Sequence, residues 1–168
     1  NWFQIDDEGS SPIASENFNT VLWAGTDASH AITGVGFQPD LVWIKRRSSP
    51  AESHALYDSI RGVNKQLESN STTAEATNTA PFEGFTSFDT DGFTVDNNGA
   101  TNRAPYTYIA WCWKAGGTAV SNTQGDIGSD VSANQNAGFS IVKYTGNSSY
   151  GQTVGHGLGV APKLIIIK

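Results

Sequence analysis

The chain has 168 residues, 38% of them hydrophobic and 15% charged, with 16 acidic against 10 basic side chains and a formal net charge of −6. That acidic balance argues against wrapping nucleic acid, which calls for a basic face. A single cysteine excludes an internal disulfide framework and a cysteine metal cluster, and no apolar run approaches the roughly 18 residues of a membrane helix.

Residues 1–17 read mostly as loop, with Trp2, Phe3 and Ile5 as anchors and Asp6-Asp7-Glu8 as a solvated face. Asn17 to Trp23 alternates in strand formers: Phe18, Thr20 and Leu22 point one way, Asn19, Val21 and Trp23 the other. Gly25 to His30 reads as a polar turn, and Ile32 to Phe37 as a short, glycine-punctuated strand. Asp40 to Arg47 is a strong strand, with Pro39 at its start, where a missing N–H does least harm. A turn over 48–52 predicts that His54 to Ile60 returns antiparallel to it. Ser59 to Gln66 is the one plausible helical turn, and Glu68 to Ala80 an exposed polar loop. The Asp89-Thr90-Asp91-Gly92 turn between Gly84–Phe88 and Gly92–Asp96 predicts a hairpin.

Tyr106 to Lys114, YTYIAWCWK, is the most apolar strand. Thr107, Ile109, Trp111 and Trp113 share one side; Tyr106, Tyr108, Ala110, Cys112 and Lys114 share the other. Both sides are largely apolar, which predicts a central strand with one side in the core and the other covered by a loop or presented to a neighbour. Trp111 is expected to be a buried core aromatic. Gly/Ser/Asn-rich residues 118–136 read as a linker.

The strand pattern then returns. Phe18, Val21, Trp23 and Gly25 align with Phe139, Val142, Tyr144 and Gly146, 121 positions on (139−18). Gly34, Gly36, Pro39, Leu41, Ile44 and Lys45 align with Gly157, Gly159, Pro162, Leu164, Ile167 and Lys168, 123 positions on (168−45). This spacing exceeds solenoid periods of about 20–50 residues and equals the length of a small domain. It divides the chain into a β-sandwich unit over 1–117, a linker over 118–136 and the opening of a second copy over 137–168. Leu164 to Lys168 reads as a strand cut mid-course, and both ends as edges of a longer product. Many short strands and almost no helix period place the fold in the all-β class, as an antiparallel β-sandwich in domain-length tandem repeat.

Candidate sites are few. His30, His54 and His156 lack a nucleophile elbow or a His-Glu-x-x-His pattern, and His30 and His156 do not align between the copies. Asp89 and Asp91 before Gly92 resemble the start of a calcium loop, but position 98 is Asn where that loop needs Glu. Lys45-Arg46-Arg47 reads as a solvated strand exit, and Cys112 as a packing residue. Asn70-Ser71-Thr72 and Asn147-Ser148-Ser149 match the glycosylation pattern. The reading is therefore no catalytic residue, no metal and no cofactor. Trp23, Trp43, Trp111 and Trp113 are left to serve the core, a subunit contact or a sugar ring.

GFQPDLVWIKRR, HALYDSIRGVNKQLESNSTTAE, FTSFDTDGFTV, YTYIAWCWKAGG, AGFSIVKYTGN and GHGLGVAPKLIIIK together resemble a repeat module of marine tailed-phage structural proteins. Those are tail-fibre-like and other virion appendage proteins of cyanophages and related viruses. The resemblance covers residues 18–168. It implies a sandwich of the laminin-G, jelly-roll or concanavalin A-like kind, and a virion location. It also implies a role in host-surface attachment and carries over no catalytic residue; with no nucleophile, base or metal constellation in the sequence, the expectation is a non-enzyme. Expected partners are further copies of itself, for instance as a trimer, other virion proteins and a host surface glycan, with neither nucleic acid nor membrane insertion. Two other readings stand beside it: a capsid-mounted fibre or decoration protein, and a secreted carbohydrate-binding or carbohydrate-active module.

Overall fold

The structure is a computed structural model describing residues 13–168. The anchors Trp2, Phe3 and Ile5 and the acidic run 6–8 lie outside the described residues. After a 3-10 turn at Ala14–Glu16, twelve strands follow in order. They are β1 (Phe18–Ala24), β2 (His30–Thr33), β3 (Leu41–Arg46), β4 (Ala55–Asp58), β5 (Lys65–Glu68) and β6 (Ala76–Thr77). Then come β7 (Phe85–Asp89), β8 (Gly92–Val95), β9 (Thr107–Trp113), β10 (Val120–Asn122), β11 (Ser129–Asn134) and β12 (Phe139–Tyr144). The described residues hold no α-helix, and every strand pair is antiparallel.

Three sheets form, in the orders β1-β9-β3-β4-β5-β6, β2-β8-β7 and β10-β11-β12. The first two enclose the core. From the six-stranded sheet come Trp23, Val42, Ile44, Tyr57, Tyr108, Ala110 and Cys112; from the other come Ile32, Phe85, Phe93 and Val95. Their aromatics link across the two layers. Trp23 stacks on Tyr108 at 5.4 Å and meets Phe93 edge-on at 5.7 Å; Phe85 stacks on Phe93 at 5.5 Å and on Tyr57 at 4.8 Å. Off-centre and edge contacts of this kind add to what burial alone supplies. The fold is an all-β antiparallel sandwich.

β9 is central, between β1 and β3. Its faces are the reverse of expectation. Tyr108, Ala110 and Cys112 are fully buried in the core, and Trp111 lies on the outer side, half-buried. Both faces of this strand are apolar, so alternation alone could not orient it. The tyrosine side can turn inward because the Tyr108 hydroxyl finds backbone partners at the edge of the core: it accepts from Arg103 N at 2.9 Å and donates to Gly99 O at 3.0 Å.

Other expectations shift. The helical turn at 59–66 is a single turn closed by Gly62 N donating to Asp58 O, after which the chain enters β5. Part of the polar loop 68–80 pairs as β6 on β5. Residues 118–136 are not a bare linker: β10 and β11 form a hairpin within them, and Ser129, Val131 and Ser132 are buried. Gly116 permits this close docking, because a Cβ there would lie 2.4 Å from Ala133 O. The Asp-Gly hairpin forms as β7–β8, with an irregularity between Phe85 and Ser87.

The repeated segments agree in part. β1 and β12 both start on the repeated phenylalanine, and Gly34 and Gly36 (φ 85° and 89°) match Gly157 and Gly159 (φ 74° and 76°) in left-handed turns. Their ladders differ. β1 pairs with β9 and β12 with β11, while Leu164 to Lys168, aligned with β3, is exposed and in no strand. β3 is held on both sides, by β9 and β4. Its counterpart has neither neighbour among the described residues, and an apolar run without a ladder does not become a strand.

Candidate functional site

The outer face of the six-stranded sheet follows from the ladder register. Thr20 faces Trp111, Trp111 faces Trp43, Trp43 faces Leu56 and Leu56 faces Leu67, so one row crosses five strands. A second row is Leu22, Ile109 and Lys45; a third is Phe18, Trp113, Leu41 and Asp58. Side chains of period two put these residues opposite the core set. The result is an apolar, aromatic surface outside the sandwich, where a half-polar face would be ordinary.

Trp43 is its most elaborated point. It meets Trp111 edge-on at 6.3 Å and His54 edge-on at 5.8 Å, and its Nε1–H donates to His54 Nδ1 at 2.8 Å. That bond requires an unprotonated Nδ1, so the neutral ring carries its proton on Nε2. Burial first, and then the charge of Lys45, hold the His54 pKa below its ordinary value, which suits the same tautomer. The backbone N–H of His54 donates to Asn70 Oδ1 at 2.9 Å. A half-buried indole with an imidazole at its edge, the imidazole's backbone held by Asn70, has the chemistry of a sugar-stacking platform. The signal for His54 was present in the chain, since the turn at 48–52 returns it beside Lys45 and Trp43, but a histidine without an acid partner gave no reason to single it out.

One end of the face is already occupied. Phe139 stacks on Trp113 at 6.1 Å, and Phe18 meets the same ring at 5.0 Å. The two phenylalanines that repeat along the chain therefore share one indole, around a cleft of about 380 Å³ completed by Ala14, Asn17, Ala137 and Gly138. Asn134 Nδ2 donates to Asn17 Oδ1 at 2.8 Å beside it. At the other end of β12, Lys143 and Tyr144 border a cleft of about 600 Å³ with Leu67, Arg61 and Glu75. β12 thus meets the outer face at Trp113, through Phe139.

The remaining candidates hold the fold. His30 Nδ1 lies 3.4 Å from Asn102 Oδ1, and His156 Nδ1 accepts from Leu158 N at 3.2 Å. Asp91 accepts from the N–H groups of Gly34 at 3.0 Å and Gly36 at 2.6 Å, which lowers its pKa and ties the first glycine turn to the β7–β8 hairpin. Asp89 accepts from Thr94 Oγ1 at 2.7 Å. These two carboxylates diverge to separate jobs, and no group of three or more His, Cys, Asp or Glu side chains that could hold a metal occurs among the described residues.

Arg46 corrects the solvated-exit reading of the basic cluster. It is buried, paired with Glu52 at 3.2 Å, donating to Ala51 O at 3.1 Å, and 4.2 Å over the Tyr106 ring. It points inward because it is even with Val42 and Ile44 along β3. Lys45, odd, lies on the outer face and donates to Glu52 O. Burial pushes the Cys112 thiol up to about 12, so it packs as a neutral side chain. Asn70 serves His54, and Asn147 closes its own turn by accepting from Ser149 N at 3.0 Å.

No curated protein and no solved structure matches the chain. A family match covers residues 13–168, the whole of the described sandwich with its outer face, and by it the chain belongs to the family described as Domain of unknown function (DUF7483).

Proposed function

We propose that this chain is a non-catalytic module of a bacteriophage virion appendage, of the tail-fibre kind, that contributes to host-surface attachment. The observation that carries the reading is the aromatic outer face: Trp43 with its neutral His54 and Asn70 offers a platform for a host surface glycan. The resemblance of residues 18–168 to phage appendage modules supports the virion location. The recurrence of Phe18 and Phe139 on one Trp113 ring supports a design of serial units, as a fibre gains reach and avidity by repetition. A virion setting also suits a chain that relies on no disulfide.

Polysaccharide from the host surface tests the reading. The chain binds it without shortening it, and Trp43→Ala lowers binding at least tenfold while far-ultraviolet dichroism is unchanged. Depolymerisation that disappears with a carboxylate pair, such as the Asp58→Asn, Glu75→Gln double variant, overturns the non-enzyme reading in favour of a carbohydrate-active module.

A further inference from the structure

We infer that the glycan taken by the Trp43 platform is an acidic one, with Lys45 as the cation that receives its carboxylate or sulfate. This rests on the platform reading and adds the class of sugar to it. Lys45 is two residues from Trp43 on β3, so both side chains stand on the outer face. Its ammonium donates to Glu52 O, two residues before His54, and its charge acts on the His54 ring that Trp43 touches. Indole, imidazole and ammonium form one cluster.

Two observations set the sign of the ligand. First, Lys45 has no carboxylate partner among the described residues. Glu52 gives its carboxylate to Arg46, which points to the core side of β3, and Asp58 gives its own to Arg61. Glu68 stands opposite Ala55, one position off the Leu56–Leu67 row, and so belongs to the other side of the sheet. The Lys45 charge is left uncompensated on an apolar, aromatic surface, where an opposite charge is attracted more strongly than in open water. Second, the cluster has donors to spare and its acceptors are used. An ammonium carries three N–H donors, and Glu52 O takes one. His54 Nε2–H and the Asn70 amide nitrogen have no acceptor among the described residues. His54 Nδ1 and Asn70 Oδ1 are already taken, by Trp43 Nε1–H and by His54 N. Carboxylate and sulfate oxygens, which only accept, match that set and cancel the charge. A neutral sugar hydroxyl leaves the charge uncompensated.

Titration calorimetry of the 168-residue chain tests this with two pairs of probes. One is polygalacturonate and its methyl ester; the other is a sulfated galactan and its desulfated form. Each pair keeps the sugar rings and removes the charge. A chain of net charge −6 repels a polyanion except at a local cationic site. The expected result is that at least one charged form binds about tenfold tighter than its neutral form, and the better pair identifies the anionic group. Lys45→Gln removes the preference, and Trp43→Ala weakens every form. Lys163→Gln, at an exposed lysine in no strand, retains both. Equal binding of charged and neutral forms, lost in Trp43→Ala, overturns the acidic-sugar inference and leaves the platform standing. A preference that survives Lys45→Gln, or falls equally with Lys163→Gln, also overturns it. Charged-form binding unchanged in Trp43→Ala overturns the platform along with it. No binding of any probe overturns the inference, and host polysaccharide then judges the platform alone.

Discussion

The six-stranded sheet has two faces of nearly equal hydrophobicity and opposite fates. Inward, Val42, Ile44, Tyr57, Tyr108, Ala110 and Cys112 are fully buried against the β2-β8-β7 sheet. Outward, Phe18 and Leu22 are exposed, and Ile109, Trp111, Trp113, Leu41 and Trp43 are half-buried. The inner face is closed by a second sheet of the same sandwich; the outer one is met at Trp113 by Phe139 of β12, an edge strand of the β10-β11-β12 sheet, and Phe18 and Leu22 stay exposed. Apolar character therefore marks what a surface can bury, and the neighbouring layer decides whether it does.

The inner face should break first. Phe93→Ala removes a fully buried ring that touches Trp23 and Phe85, and costs about 3–5 kcal/mol in chemical denaturation. A loss under about 1 kcal/mol would place Phe93 outside the core. Trp111→Ala, on the outer face, costs less than the Phe93 change, about 1–2 kcal/mol, because a half-buried ring forfeits only part of its transfer term. Equal losses at the two positions would erase the distinction between the faces.

pH sharpens the same contrast. Burial raises the pKa of Tyr57, Tyr108 and Cys112, all on the inner face. The unfolded chain releases those protons first, so their contribution is complete below about pH 8.5 and falls as pH rises toward the folded values. On the outer face the sign reverses. His54 has its pKa lowered, so the unfolded chain takes up that proton first, and its contribution is lost as pH falls below about 6.5. Protonation also ends the bond from Trp43. Indole fluorescence should therefore change in mild acid in the native chain and not in His54→Gln, and an identical titration in both would remove His54 from the platform. The smallest effect is kinetic: Cys112 should stay unmodified by a thiol reagent at pH 8 until the chain unfolds, and rapid native labelling would contradict its burial.

How much of this was legible follows from the kind of signal each element carries. Strong alternation placed β1, β3 and β9, and the Asp-Gly turn placed β7 and β8. Orientation was not legible for YTYIAWCWK, where both faces are apolar and the partners that let the Tyr108 hydroxyl turn inward, at Gly99 and Arg103, lie outside the strand. The β10–β11 hairpin was hidden in a Gly/Ser/Asn-rich stretch because its buried Ser129 and Ser132 look polar in sequence. They are satisfied by Gly155 O and by Gly116 and Gly117. Leu164 to Lys168 has the apolar run of a strand, but a strand needs a neighbour and this run has none among the described residues. At the candidate site the tryptophans were visible as a surplus of aromatics, whereas the bond between Trp43 and His54 required the β3–β4 register.

Immunogold labelling of intact phage particles with antibody raised against the chain tests the virion reading most directly. Label at the fibres or other appendages of the tail is the predicted result; label over the capsid would favour a decoration protein, and purified particles that carry no label would contradict a virion role.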